Sequence, residues 1–168
     1  MTPELFTHRN VIIQGITGSS GTVHTKNMLA YGTRIIGGTS PNQQIKDVHG
    51  VPVYRTIADI RTKHDVDISI IFVPAPHAKA AVLEAIDAHI PLIICITENI
   101  PVHDMLYITQ RLACSSSVLV GPNCPGVLIP GVHSLGIIPT ALATPGDTAI
   151  ISRSGTLTYE AMSLLTQR

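Results

Sequence analysis

Short apolar runs alternate with polar stretches of helical length along this chain from its tenth residue onward. Asn10 to Ile13 predicts a buried strand. The glycine-rich Gly15-Ile16-Thr17-Gly18-Ser19-Ser20-Gly21 follows it and leads into a helix from Thr22 to Tyr31, closed by Gly32. Arg34 to Gly37 and Val51 to Tyr54 predict two more extended pieces. Thr56-Ile57-Ala58-Asp59 has the spacing of a capping box and opens a helix that runs toward His64. Asp67 to Val73 is the next strand, which Pro74-Ala75-Pro76 ends, and Ala78 to Ala88 is the next helix. Leu92 to Ile96 predicts a strand, Pro101 to Cys114 a helix with proline in its first turn, and Ser117 to Val120 a further strand.

From Gly121 to Gly146 five prolines interrupt any period, so this stretch predicts an extended connection and a boundary near Gly146. Thr148 to Ser152 then predicts a strand, and a helix enters at Gly155-Thr156. Regular alternation of strand and helix with short loops implies an α/β fold: a doubly wound parallel sheet with right-handed crossovers over residues 1–146. Residues 147–168 are read as the first strand and helix of a second domain, cut short at Arg168. Ligands of such sheets bind at the carboxyl ends of the strands, where the strand order reverses.

Composition narrows the class. Apolar residues make up 45% of the chain, charged residues 13% and aromatic residues 4%, the balance of buried parallel strands built from Val, Ile, Leu and Ala. Eleven basic residues cancel eleven acidic ones without a long block of either sign, which argues against nucleic acid or an anionic membrane as a partner. Apolar runs such as Ile90 to Ile96 fall far below the roughly 18 residues of a membrane span, and Met1 to Asn10 lacks a signal-peptide pattern, so the expected compartment is the cytoplasm. Cys95, Cys114 and Cys124 form no CxxC pair and are expected as reduced thiols.

The glycine loop carries the chemistry. A turn from strand into helix aims unpaired backbone N–H groups, backed by the helix dipole, at one spot that suits an anion. Gly15, Gly18 and Gly21 are read as clearance for a phosphate, with Thr17, Ser19 and Ser20 as hydroxyl donors. The spacing is GxxGxxG, and the second strand ends in Gly37-Gly38-Thr39-Ser40 without the acid that a nicotinamide site places about 20 residues beyond its loop. A nicotinamide-dependent oxidoreductase is therefore disfavoured. Ser152-Arg153-Ser154-Gly155-Thr156 repeats the strand-to-helix logic, with Ser154, Gly155 and Thr156 as phosphate ligands.

Five segments together point further: Gln14-Gly15-Ile16-Thr17-Gly18-Ser19, Phe72-Val73-Pro74-Ala75-Pro76, Ile96-Thr97-Glu98-Asn99-Ile100-Pro101, Gly121-Pro122-Asn123-Cys124-Pro125-Gly126, and Ser152 to Glu160. With them the chain closely resembles the amino-terminal part of the α subunit of succinyl-CoA synthetase (succinate–CoA ligase), from about Asn10 to its end. The resemblance implies a Rossmann-like first domain that binds coenzyme A, followed by a flavodoxin-like ligase domain, and a β subunit as partner. It implies that Thr17, Gly18, Ser19 and Ser20 line the CoA phosphates, that Val73 and Pro74 meet the adenine–pantetheine portion, and that Ile96, Thr97 and Glu98 follow the pantetheine arm. Asn123 and Pro125 would border the thioester, and Tyr159 the carboxylate substrate.

The family reaction converts succinyl-CoA, phosphate and a nucleoside diphosphate to succinate, CoA and the triphosphate through a phosphohistidine. None of the eight histidines here matches the family's histidine segment, so no residue of the chain is called catalytic and no metal site is expected. His24 and His77 are read as solvated or capping residues, and Cys124 as no nucleophile. Gln43 stands where the family commonly has a CoA-contacting lysine, which implies weaker binding unless Lys46 or Arg34 compensates. The alternative reading is a non-catalytic CoA or nucleotide sensor or assembly module.

Overall fold

Apolar side chains on both faces of a strand require cover on both sides, and the fold supplies it. The computed structural model describes residues 9–167. Its main sheet contains β1 (Val11–Gln14), β2 (Ile35–Thr39), β3 (Asp47–Val48), β4 (Val51–Tyr54), β5 (Ile68–Ile71), β6 (Leu92–Cys95) and β7 (Val118–Val120). They lie in the order β3-β4-β2-β1-β5-β6-β7. Every pairing is parallel except β3 with β4. The helices are α1 (Ser19–Ala30), α2 (Ile57–Arg61), α3 (Ala75–Asp87), α4 (Val102–Ala113) and α5 (Gly155–Thr166). This is the doubly wound α/β architecture that the alternation predicts.

Alternation along each strand sorts the core into two layers. Val11 and Ile13 of β1 and Ile68 and Ile70 of β5 pack beneath Met28 of α1. Ile12 and Ile71 point the other way, into a cluster with Ile57 of α2, Val82 and Ala85 of α3 and Ile108 of α4. Val11, Ile12, Ile13, Ile70 and Ile71 are fully buried, so the central pair β1–β5 is the best-covered part of the sheet.

Three helix starts show how local chemistry sets the boundaries. Thr56 caps α2, its hydroxyl accepting from Asp59 N while the Asp59 carboxylate accepts from Thr56 N, as the spacing predicts. α3 begins at Ala75 rather than Ala78, because Pro76 falls in the first turn, where a missing N–H costs nothing. α1 begins at Ser19 rather than Thr22; Gly18 is its N-cap and offers no side chain to the first amides.

Two stretches differ from the sequence reading. The Gly121–Gly146 connection contains an antiparallel hairpin, β8 (Gly126–Ile129) with β9 (His133–Gly136), that covers α1. Leu135 is buried there in the same cluster as Met28, and Thr33 Oγ1 donates to Ser134 O at 2.8 Å. Four-residue strands, the first flanked by Pro125 and Pro130, are too short to show a period. The strand predicted at Thr148 to Ser152 does not form: no neighbouring strand offers it a ladder, and Ile151 is fully exposed. α5 forms as predicted and packs against a 3-10 turn, Thr140–Leu142, where Thr166 Oγ1 donates to Leu142 O. No described helix is long and apolar enough to cross a membrane.

If the hairpin belongs to the same cooperative core as the sheet, Leu135→Ala lowers the unfolding free energy by about 2–5 kcal/mol in urea denaturation. A loss below about 1 kcal/mol, the scale of a surface change, would make the hairpin an accessory flap.

Candidate functional site

β1 pairs with β2 on one side and β5 on the other, and the order of crossovers reverses between β1 and β5. Chains leaving the carboxyl ends of these two strands diverge, and the gap between them is the crevice. The glycine loop fills one wall of it.

That loop is tightly bonded at its base and open at its top. Gly15 N and Ile16 N both donate to Thr39 O, at 3.0 and 3.3 Å, and Gly18 N donates to Gly15 O at 3.1 Å. Gly15 has φ +82°, and a Cβ on it would press on Val73. Gly21 is buried, and a Cβ there would overlap the Gly15 carbonyl oxygen, so this glycine lets α1 approach the strand rather than a ligand approach the loop. Among the three glycines read as phosphate clearance, only Gly18 is exposed. The first-turn amides of Ser19, Ser20 and Gly21 have no acceptor inside the helix, no capping side chain serves them, and no acidic residue lies in that turn. These amides are the open donors of the crevice.

Hydrogen bonds lace the strand ends together across the opposite wall. Thr97 Oγ1 donates to Val73 O at 2.6 Å, and Asn123 N donates to Thr97 O at 2.9 Å. The ends of β5, β6 and β7 thereby bring Val73, Pro74, Ile96, Thr97, Glu98, Asn123 and Pro125 onto one rim with the glycine loop. Pro74 and Glu98 are exposed, whereas Val73, Ile96 and Thr97 are half-buried. Below the rim, the buried Gln14 side chain accepts from Ser69 Oγ and donates to Glu84 Oε2. The other Glu84 oxygen accepts from Ile57 N at the start of α2, so this carboxylate is committed within the protein.

The remaining predicted residues lie elsewhere. Ser154 is the N-cap of α5 and Gly155, Thr156 and Tyr159 lie on it, and no hydrogen bond joins them to the rim. Ser154 Oγ caps its own helix by accepting from Leu157 N. Gln43 folds back, its Nε2 donating to Ser40 O at 2.7 Å. Arg34 precedes β2, at the edge of the sheet opposite the crevice, because a residue before a parallel strand lies at its amino end; it cannot compensate for Gln43.

Sequence reasoning missed two features. Ser40, buried directly after β2, shares a 2.6 Å hydrogen bond with Thr17 and so ties the second strand end to the loop. His24 stacks on Phe72 with ring centroids 5.6 Å apart and an interplanar angle of 4°, and burial lowers its pKa. A hydroxyl ending an apolar strand was the signal for the first; the second needs the crossover geometry. His77 is exposed, consistent with a solvated residue.

Cys95 and Cys124 are not poised for nucleophilic chemistry. Burial pushes the Cys95 thiol up to about 11 and raises Cys124, whose Sγ donates to Cys95 O at 3.3 Å. Among the described residues no cluster of His, Cys, Asp and Glu is placed to hold a metal.

The family profile described as CoA binding domain matches residues 6–99, more than half of the chain and the whole span from the glycine loop to Glu98 and Asn99. The chain belongs to the CoA-binding domain family. Coenzyme A is accordingly the ligand of this domain. Succinate–CoA ligase [ADP-forming] subunit alpha 2 of Archaeoglobus fulgidus is 49% identical over 157 residues, covering 94% of this chain and 55% of that protein. The alpha subunit of Methanothermobacter thermautotrophicus is 47% identical over 156 residues, covering 93% and 53%. The chain thus spans about half the length of the curated relatives it matches. In structure, the CoA-binding domain resembles PH0766 from Pyrococcus horikoshii OT3, with TM-score 0.82 at 20% identity over 99% of this chain and 39% of that one. ATP citrate lyase from Methanothrix soehngenii, in complex with citrate and coenzyme A, gives 0.81 at 18% identity over 97% and 30%.

Below pH 9 the Cys95 thiol stays protonated, since its raised pKa favours the neutral form. An aromatic disulfide reagent at pH 8 is expected to titrate one fast thiol in the folded domain, the exposed Cys114, and three after denaturation. Two or more fast thiols in the folded state would contradict the burial of Cys95 and the half-buried, hydrogen-bonded placement of Cys124.

Proposed function

We propose that this chain is the CoA-binding part of the α subunit of an ADP-forming succinate–CoA ligase. The carrying observation is the set of unclaimed amides of Ser19, Ser20 and Gly21 beside the laced rim of Val73, Thr97 and Asn123. Identity of 45–49% to alpha subunits of that name supports the reading.

In this reading the α1 amides and the Thr17 hydroxyl hold the CoA phosphates, each dipole contact contributing about 0.3–1 kcal/mol, so affinity depends on several acting together. Val73 and Pro74 form an apolar ledge, and Ile96, Thr97 and Glu98 flank the amides of the pantetheine arm. Asn123 and Pro125 stand where the arm ends and the thioester forms. The Gly155 and Thr156 amides, left open once Ser154 caps Leu157, receive a phosphate, and Tyr159 meets the carboxylate substrate. Residues 1–146 are the CoA-binding domain and 147–168 open a separate unit, in which α5 is joined to the 3-10 turn through Thr166 and Leu142.

The reaction so supported is succinyl-CoA + phosphate + ADP giving succinate + CoA + ATP. The chain positions CoA; phosphoryl transfer through a histidine is assigned to none of its own residues, and the nucleotide belongs to a partner β subunit.

Free CoA is expected to raise the midpoint of thermal unfolding in a saturable way, because a ligand of the native state alone adds stability as its concentration exceeds Kd. NADH at the same concentration is expected to leave the midpoint unchanged, since Thr39 and Ser40 end β2 without an acid. No shift at about 1 mM CoA, a concentration that would detect binding worth only about 4 kcal/mol, would sink this reading.

A further inference from the structure

The loop after β2 faces the ribose of a ligand bound in this kind of crevice, and there a cation is what reads a phosphate on the sugar. The loop itself holds none in place. Gln43 is neutral and donates to Ser40 O, Asn42 N donates to Ser40 Oγ, and Gln44 N donates to Asn42 Oδ1. Lys46 lies farther out, its carbonyl accepting from Val53 N on the β3 side of β4.

One cation does stand at the right edge. The parallel register of β2 and β4 pairs Gly38 with Val53 and Thr39 with Tyr54, and Ser40 N continues the ladder by donating to Tyr54 O at 3.0 Å. The next residue on β4's side is Arg55, directly beside Ser40. Arg55 lies in the bend between the end of β4 and Thr56, the N-cap of α2. β4 is two strands from β1, a lateral distance of about 10 Å, which an extended arginine side chain largely covers.

Arg55 is exposed and joins none of the ion pairs among the described residues, which are Arg9–Asp67, Lys79–Asp104 and Arg111–Asp87. The nearest carboxylate in sequence, Asp59, is engaged in the Thr56 capping box. We propose that Arg55 is the specificity-determining cation of the site: its guanidinium holds the phosphate monoester on the ribose of CoA, the role residue 43 cannot fill. This inference rests on the CoA-binding reading above.

The test is calorimetric titration of the full chain and its Arg55→Met variant with CoA and with 3′-dephospho-CoA, which differ only in that phosphate. The wild-type chain is expected to bind CoA about tenfold more tightly than 3′-dephospho-CoA, the scale of one charge-assisted contact. Arg55→Met is expected to abolish that preference while leaving the dephospho-CoA affinity within about twofold, and Arg55→Lys to restore part of it. Equal affinity of the wild type for both ligands, or a preference that survives in Arg55→Met, overturns the assignment while leaving the CoA-binding reading intact. Binding of neither ligand overturns both.

Discussion

The proposed CoA site depends on a helix that starts one residue after a glycine cap. Gly18 bonds back to Gly15 and contributes no side chain, so three amides at the head of α1 remain without a protein acceptor. They are held in place by the stiffest part of the molecule, the fully buried pair β1–β5, and by Gly21, whose bare α-carbon lets α1 sit against the Gly15 carbonyl. An anion site made from backbone in this way has fixed direction and small individual energies, so it favours a ligand that spreads many contacts along the rim.

The rim meets that requirement through cross-bracing rather than through charge. Thr97 bridges to Val73, Asn123 bridges to Thr97, and Thr17 bridges to Ser40, so four strand ends and the loop form one braced edge. Glu84, beneath Gln14, spends both carboxylate oxygens within the protein, on Gln14 Nε2 and on Ile57 N at the start of α2. Beneath the same edge Cys95 is a buried thiol, and the half-buried Cys124 donates its Sγ to Cys95 O, so both act as packing. A long, thin, polyanionic cofactor with an amide-bearing arm is the shape such an edge fits, which is why family membership and geometry agree.

Much of this was legible in the residues. The alternation of Val- and Ile-rich runs with helical stretches gives the parallel sheet, and the Thr56–Asp59 spacing gives the α2 cap in atomic detail. The glycine loop is visible as a motif, but its division of labour is not: Gly21 serves packing and only Gly18 is exposed, a distinction that depends on how α1 leans on β1. The β8–β9 hairpin was hidden because Pro125 and the glycines around it erase any period across four-residue strands. The apolar letters of 148–152 misled in the opposite direction, since a strand needs a neighbour and these residues have none. Adjacency across the sheet, such as Arg55 beside Ser40 or His24 over Phe72, follows from crossover order and has no local signature.

The central claim is that the open amides of Ser19, Ser20 and Gly21 receive the phosphates of CoA. Amide proton and nitrogen shifts of the isotope-labelled chain, followed during addition of CoA, test it residue by residue. The account predicts the largest displacements at Ser19, Ser20 and Gly21, with smaller ones at Val73 and Thr97. Displacements confined to the β8–β9 hairpin or to α5, with the α1 amides unmoved, would contradict it.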